Sequence, residues 1–212
     1  MQENKNISAY RQQLRDRILD TAMHAFATQG IRAVKMDDIA RQLGISKRTL
    51  YEIYDNKEDL LFEGVKKYKE IRERQIKDML NGDHNVMDVI LYAYRQKVET
   101  FRRTSPQFYS ELTKFPRVMS LQERDRHVNY ERFLVFLERG VKEGFFRTDI
   151  DYRLVVRLFE AIGDYILNNQ LYRIFSIEAI FKNIVFVSIR GFCTERGIKT
   201  IDAMIDCPPP TL

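Results

Sequence analysis

Apolar residues recur along this chain at intervals of three and four, and no stretch alternates with the period of two that a half-buried strand needs. The pattern predicts an all-α protein. Leu14, Ile18, Ala22, Ala25 and Phe26 mark one face of a first helix, which Gly30 stops. Ile39 and Leu43 line a short second helix, and Ile45, Leu50 and Ile53 carry its apolar face on into a third. Ala40 is small where two crossed helices touch, and Gly44 sits where the turn between them wants a positive φ. A fourth helix, from Lys57 towards Leu80, carries Leu60, Leu61, Val65, Tyr68, Ile71 and Ile76 among many charges. Asn56 is placed to cap it, with Asp59 answering from the first turn.

Met87, Leu91, Tyr94, Val98 and Phe101 give a fifth helix that ends before Ser105-Pro106. A short helix over 106–114 is closed by Phe115-Pro116, and a longer one runs from about Leu121 to Glu143, where Gly144 ends it. The last two predicted helices, 151–169 and 176–196, differ in kind, because their apolar residues cover more than one face. A helix apolar on two sides must be buried on two sides. One side meets the protein's own core, and the other calls for a second copy in a two-fold four-helix bundle. The interface residues expected on this reading are Phe159, Ile162, Tyr165, Ile166, Phe181, Ile184, Val185, Ser188 and Phe192.

The outward side of the third helix changes the picture from architecture to chemistry. Ser46, Lys47, Arg48, Thr49, Tyr51 and Glu52 remain there once the apolar positions are assigned inward. Adjacent cations, hydroxyls and a tyrosine on a short exposed helix suit a DNA major groove; Arg48 fits a guanine edge bidentately, and Glu52 accepts from a cytosine amino group. Net charge is +5, and up to residue 57 ten cations stand against seven acids. The excess gathers where a phosphate backbone would be met.

Composition excludes more than it specifies. With 212 residues and 44% hydrophobic content the chain is long and apolar enough to fold. No apolar run reaches membrane-spanning length and the start has no signal-peptide core, so a cytoplasmic protein without membrane contact is expected. Two cysteines, Cys193 and Cys207, form no CxxC pair, and Cys193 reads as a small packing residue. His24, His84 and His127 lack ligand spacing; His127, between Glu123 and Glu131, reads as a surface ion pair. No Ser-His-Asp order, nucleophile elbow or glycine-rich phosphate loop is visible. Neither an enzyme nor a metal or cofactor is expected.

The stretch Ile18 to Leu61 resembles the TetR family of bacterial transcriptional regulators. Phe26 and Gly30, Ile39-Ala40, Gly44-Ile45-Ser46, Thr49-Leu50-Tyr51 and Lys57 carry the likeness. The later helices match only in number, length and the apolar character of the final pair. The resemblance implies a three-helix helix-turn-helix domain over 1–56 that binds a palindromic duplex operator. It implies a larger ligand-binding and dimerisation domain of about six helices over 57–200, followed by a tail over 201–212 expected to be flexible. In such homodimers an effector shifts the fourth helix and alters the spacing of the two recognition helices. Carried over, Tyr51 and Lys57 meet phosphates while Lys47, Arg48 and Thr49 meet the groove. The chain departs from the family at Val34 and Lys35, where a capping hydroxyl is usual, so Lys35 would hold a phosphate instead; Ile53 replaces an aromatic or histidine and packs inward.

Tyr94, Phe101, Phe108, Tyr109, Tyr130, Phe133 and Phe159 lie on helices that the family places around its small-molecule effector. The same rings at helical spacing also suit a plain core. Glu160 and Asp164 would attract a cation, unless Arg157 pairs with Glu160. The functional expectation is a ligand-responsive regulator, most simply a repressor. The alternative is a regulator of the same fold controlled by a protein partner or lacking a ligand.

Overall fold

The computed structural model describes residues 2–124 and 126–206. Among the described residues twelve α-helices follow one another: α1 (Gln2–Gln29), α2 (Met36–Leu43), α3 (Lys47–Tyr51), α4 (Lys57–Asn81), α5 (Val86–Arg103), α6 (Pro106–Leu112), α7 (Pro116–Arg124), α8 (Arg126–Lys142), α9 (Tyr152–Asn168), α10 (Ile177–Ile180), α11 (Phe186–Arg190) and α12 (Glu195–Asp206). A π-helical turn, Phe181–Val185, joins α10 to α11. Among the described residues the one β feature is an isolated antiparallel bridge between Phe146 and Cys193.

By contact the chain divides into two compact units. The first comprises the residues up to Arg72 together with Arg103–Glu123, and the second comprises Glu73–Arg102 together with the residues from Arg124 onward. The first unit is therefore larger than the expected 1–56. Its core explains the difference. Leu14, Ile18, Ala22, Ala25 and Phe26 of α1 bury against Ile39, Ala40 and Leu50, and the same cluster takes in Leu60 and Leu61 of α4, Phe108 of α6 and Val118 of α7. Each of the larger side chains among these is worth about 1.5–3 kcal/mol when withdrawn from water, so the early turns of α4 and the apolar side of α6 are bound to this core.

Several expected boundaries move. α6 ends at Leu112, short of Phe115-Pro116, and Pro116 opens α7, because proline has no N–H to lose in a first turn. The third helix stops at Tyr51, short of the Ile53 that its apolar pattern reached. Tyr54 turns inward and is buried.

In the second unit α5, α8, α9 and the α10–α11 run enclose Val86, Met87, Tyr94, Val98, Leu137, Val156 and Phe186. The last helix was expected to continue to Arg196, but α11 ends at Arg190. The segment after it pairs with the turn following α8: the Arg147 N–H donates to the Phe192 carbonyl, and the Thr194 N–H to the Phe145 carbonyl, each at 2.9 Å. Cys193 lies in that segment, not on a helix, and burial pushes its thiol up to about 12, consistent with a packing role. The tail also starts later than expected. Residues 201–206 belong to α12, and Ile201 is fully buried. Cys207 and the rest of the expected tail lie outside the described residues, as does the side chain of His127.

Candidate nucleic-acid interface

The turn between α2 and α3 is fixed by local backbone chemistry. Gly44 adopts φ 66° and ψ 28°. That left-handed step lets the Ile45 N–H reach the Ala40 carbonyl at 3.0 Å and the Gly44 N–H reach Arg41 at 3.2 Å, the paired bonds of a Schellman end. Ser46 then caps α3. Its Oγ accepts from the Thr49 N–H at 3.0 Å and lies 2.8 Å from the Thr49 hydroxyl. At the other end of α2 no hydroxyl is present, and Asp38 substitutes: its carboxylate accepts from the Lys35 N–H at 3.4 Å.

On this frame Ser46, Lys47, Arg48, Tyr51 and Glu52 are exposed, as is Lys35, and Thr49 is half-buried. Lys47, Arg48, Tyr51 and Glu52 share one side of α3 by helical spacing. The Arg48 guanidinium donates to Glu52 at 2.9 Å, and its side chain is 90% exposed. The Lys47 ammonium reaches Asp37 of α2 at 2.5 Å. Both cations are thus oriented by carboxylates yet remain open to solvent. Behind them Leu50 is fully buried and Ile53 packs against the core.

Lys57 stands apart from this group. Its ammonium turns into the loop between α1 and α2, donating to the carbonyls of Ile31 at 2.9 Å, Val34 at 3.0 Å and Arg32 at 3.4 Å. Burial holds its pKa below the ordinary lysine value, against an opposing pull from Glu111. Three donors meet three carbonyls, so none is spare in this arrangement. Asn56 caps α4 beside it: the Asp59 N–H donates to Asn56 Oδ1 at 2.9 Å, and the Asn56 amide donates to Asp59 at 2.7 Å.

The same loop is also held by Glu111 of α6, which the sequence pattern did not single out. The buried Glu111 carboxylate accepts from the Arg32 N–H at 2.8 Å and from the Gln107 amide at 2.9 Å. Burial would raise its pKa, but the bonds from Gln107 and from the N–H groups of Arg32 and Ile31 outweigh it and hold the carboxyl below its usual range. An acid beneath a mostly polar helix gives no periodic signal. The available clue was Gly30, whose φ of 88° brings Gln107 so close that a Cβ would meet it at 2.9 Å.

Residues 18–63 match the family model for bacterial regulatory proteins, tetR family. That stretch is a TetR-family N-terminal domain. The chain is 26% identical over 149 residues to the HTH-type transcriptional repressor KstR2 of Mycobacterium tuberculosis, covering 68% of this chain and 74% of that one. It is likewise 26% identical over 174 residues to an HTH-type transcriptional regulator of Staphylococcus aureus, covering 74% and 92%. In fold it is similar to the ketosteroid transcriptional regulator KstR2 of M. tuberculosis, with a TM-score of 0.55, 21% identity and coverage of 85% and 95%. A TetR-family transcriptional regulator from Agrobacterium tumefaciens aligns with a TM-score of 0.64 at 17% identity, over 87% and 100% of the two chains. The relatives that this chain matches are named as HTH-type transcriptional regulators and a repressor.

The expected effector residues fall in both units. Phe108 and Tyr109 pack in the first unit, their ring centroids 5.5 Å apart. The other five belong to the second unit: Tyr94 lies 5.0 Å from Phe186, Phe133 lies 5.7 Å from Phe159, Phe101 meets Tyr172, and Arg157 lies over Tyr130. Arg157 also pairs with Glu160 at 3.0 Å. One expected interface residue is corrected outright. Phe192 is 5% exposed among the rings of Phe146, Tyr152 and Phe159, so it has no surface to offer a second copy. Among the described residues the exposed large apolar side chains on these helices are Leu154, Leu158, Tyr165 and Leu167 of α9 and Val187 of α11, of which only Tyr165 was expected. Among the described residues no group of three or more His, Cys, Asp or Glu side chains is placed to hold a metal, and no helix is long and apolar enough to cross a membrane.

Proposed function

We propose that this chain is a cytoplasmic, ligand-responsive repressor that binds a palindromic operator as a homodimer and releases it when a small molecule binds. The observation that carries the reading is α3, whose side with Lys47, Arg48, Tyr51 and Glu52 is solvent-facing while Leu50 anchors the opposite side. Ser46, Lys47, Arg48, Thr49 and Glu52 address base edges in the major groove, and Tyr51 and Lys35 address phosphates. Lys57 acts by holding the loop that leads into α2, because its donors are committed to carbonyls.

A second copy covers the exposed stripe of Leu154, Leu158 and Tyr165, which recurs at helical spacing on α9. Two recognition helices are then presented together, as two half-sites about one helical turn apart require. KstR2 is described as a ketosteroid transcriptional regulator. An effector of mostly apolar character suits the second unit here as well, where Tyr94, Phe101, Tyr130, Phe133 and Phe159 supply aromatic surface.

The test is operator binding by fluorescence anisotropy, using DNA from the protein's own locus. Arg48→Ala is expected to lose about 1–3 kcal/mol of discrimination at one base pair, while Tyr51→Ala weakens binding to all sequences alike. If both folded variants bind as wild type does, α3 is not the reading element.

A further inference from the structure

A groove lies beside the end of α3, lined by Arg11, Gln12 and Arg15 of α1 and by Glu52 and Ile53. Arg11, Gln12 and Arg15 stand at i, i+1 and i+4, so they share one side of α1. Charge on that side is not cancelled. The nearby acids of α1, Asp16 and Asp20, are each met by the Lys67 ammonium at 3.1 Å, and Asp16 also accepts from Gln12 at 3.3 Å. Glu52, on the far wall, is already met by Arg48. The Arg15 guanidinium lies 5.0 Å from the centre of the Tyr54 ring, which orients it without using its donors on a carboxylate. Arg11 is exposed and has no carboxylate partner among the described residues.

We propose that α1 supplies a second DNA contact, in which Arg11 and Arg15 hold phosphates of the strand running past the end of α3. The inference rests on the reading of α3 as the groove-binding helix and extends it. Glu52 belongs both to the exposed side of α3 and to the wall of this groove, so a duplex seated on α3 brings its backbone alongside Arg11 and Arg15. Guanidinium groups suit phosphate because their forked donors match its oxygens. Tyr54 fixes one of the two forks in advance. Contacts of this type supply affinity and register rather than sequence preference.

The experiment uses the full chain and two duplexes of about 30 base pairs, one of random sequence and one from the DNA beside the protein's own gene, titrated across a range of salt. Arg11→Ala, at an exposed position, is expected to keep the melting temperature of wild type. Its affinity should fall about five- to tenfold for both duplexes alike, and the slope of log affinity against log salt should shrink by about one. Arg11→Lys should keep the slope. An Arg11→Ala variant with wild-type affinity and slope, beside a wild type that binds with steep salt dependence, overturns the α1 contact and leaves the role of α3 standing. A wild type that binds neither duplex overturns both.

Discussion

At the scale of single residues, two positions separate backbone strain from polar satisfaction. A Cβ at Gly44 would meet nothing within 4 Å, so a substitution there costs only the left-handed conformation. Gly44→Ala should lose about 1–2 kcal/mol by chemical denaturation, and Gly44→Asn less, since asparagine tolerates that region. Equal stabilities for all three proteins would remove the argument. Glu111 is the opposite case, where the cost lies in partners. Glu111→Ala leaves buried N–H groups unanswered and should lose about 1–3 kcal/mol. Its folded pKa is lowered, so its charged form contributes fully above the unfolded carboxyl value of about 4.3 and fades as pH falls through the folded value. The gap between wild type and Glu111→Ala should therefore hold steady from about pH 7 to 5 and close below about 4. Lys57→Met should likewise lower the melting temperature without any DNA present, since the carbonyls of Ile31, Arg32 and Val34 lose their donor. A Lys57→Met variant that melts as wild type does, with reduced DNA affinity alone, would return that residue to a phosphate-binding role.

At the scale of elements, α3 shows how little a recognition helix needs of its own. Five residues cannot sustain a helix in water, because nucleation is costly and few bonds follow it. It persists because Ser46 caps it, Gly44 aims it and Leu50 seats it in the first core. Ser46→Ala should cost about 1 kcal/mol of stability. It should also raise the amide exchange rate of Thr49, whose N–H loses its acceptor; unchanged exchange would show that the cap is dispensable. These devices were legible in the sequence because each is local: a glycine, a cap and apolar positions in register within one short stretch. The break after Arg190 was not. Nothing in Gly191 to Thr194 forbids a helix strongly enough to be read by itself, and the segment leaves helical form because its backbone pairs with Phe145 and Arg147, far away in sequence.

At the scale of the molecule, exposed apolar area on α9 predicts association. Leu158 is 51% exposed and Leu154 69% exposed, so glutamate at both should leave the fold intact while placing charge where a second copy would pack. Sedimentation velocity is expected to show a dimer for wild type and a monomer for the double variant. A dimeric double variant with unchanged DNA affinity would place the interface elsewhere. The sequence pattern marked α9 as apolar on more than one face but named Phe192 and not Leu154 or Leu158. Hydrophobicity says that a residue seeks burial; only the packing around Phe146 and Tyr152 decides that Phe192 finds it within its own unit.

The sequence by itself determined the first four helices, the turn at Gly44 and the polar outer side of α3, because these depend on spacing, caps and one glycine's freedom. Tertiary structure alone decided that α6 belongs with the first unit, that Lys57 and Glu111 both bond to the α1–α2 loop, and that Arg11 and Arg15 stand beside Glu52. Those facts join residues tens of positions apart. Periodicity records which face of a helix is apolar, but not which distant face or polar group it will meet.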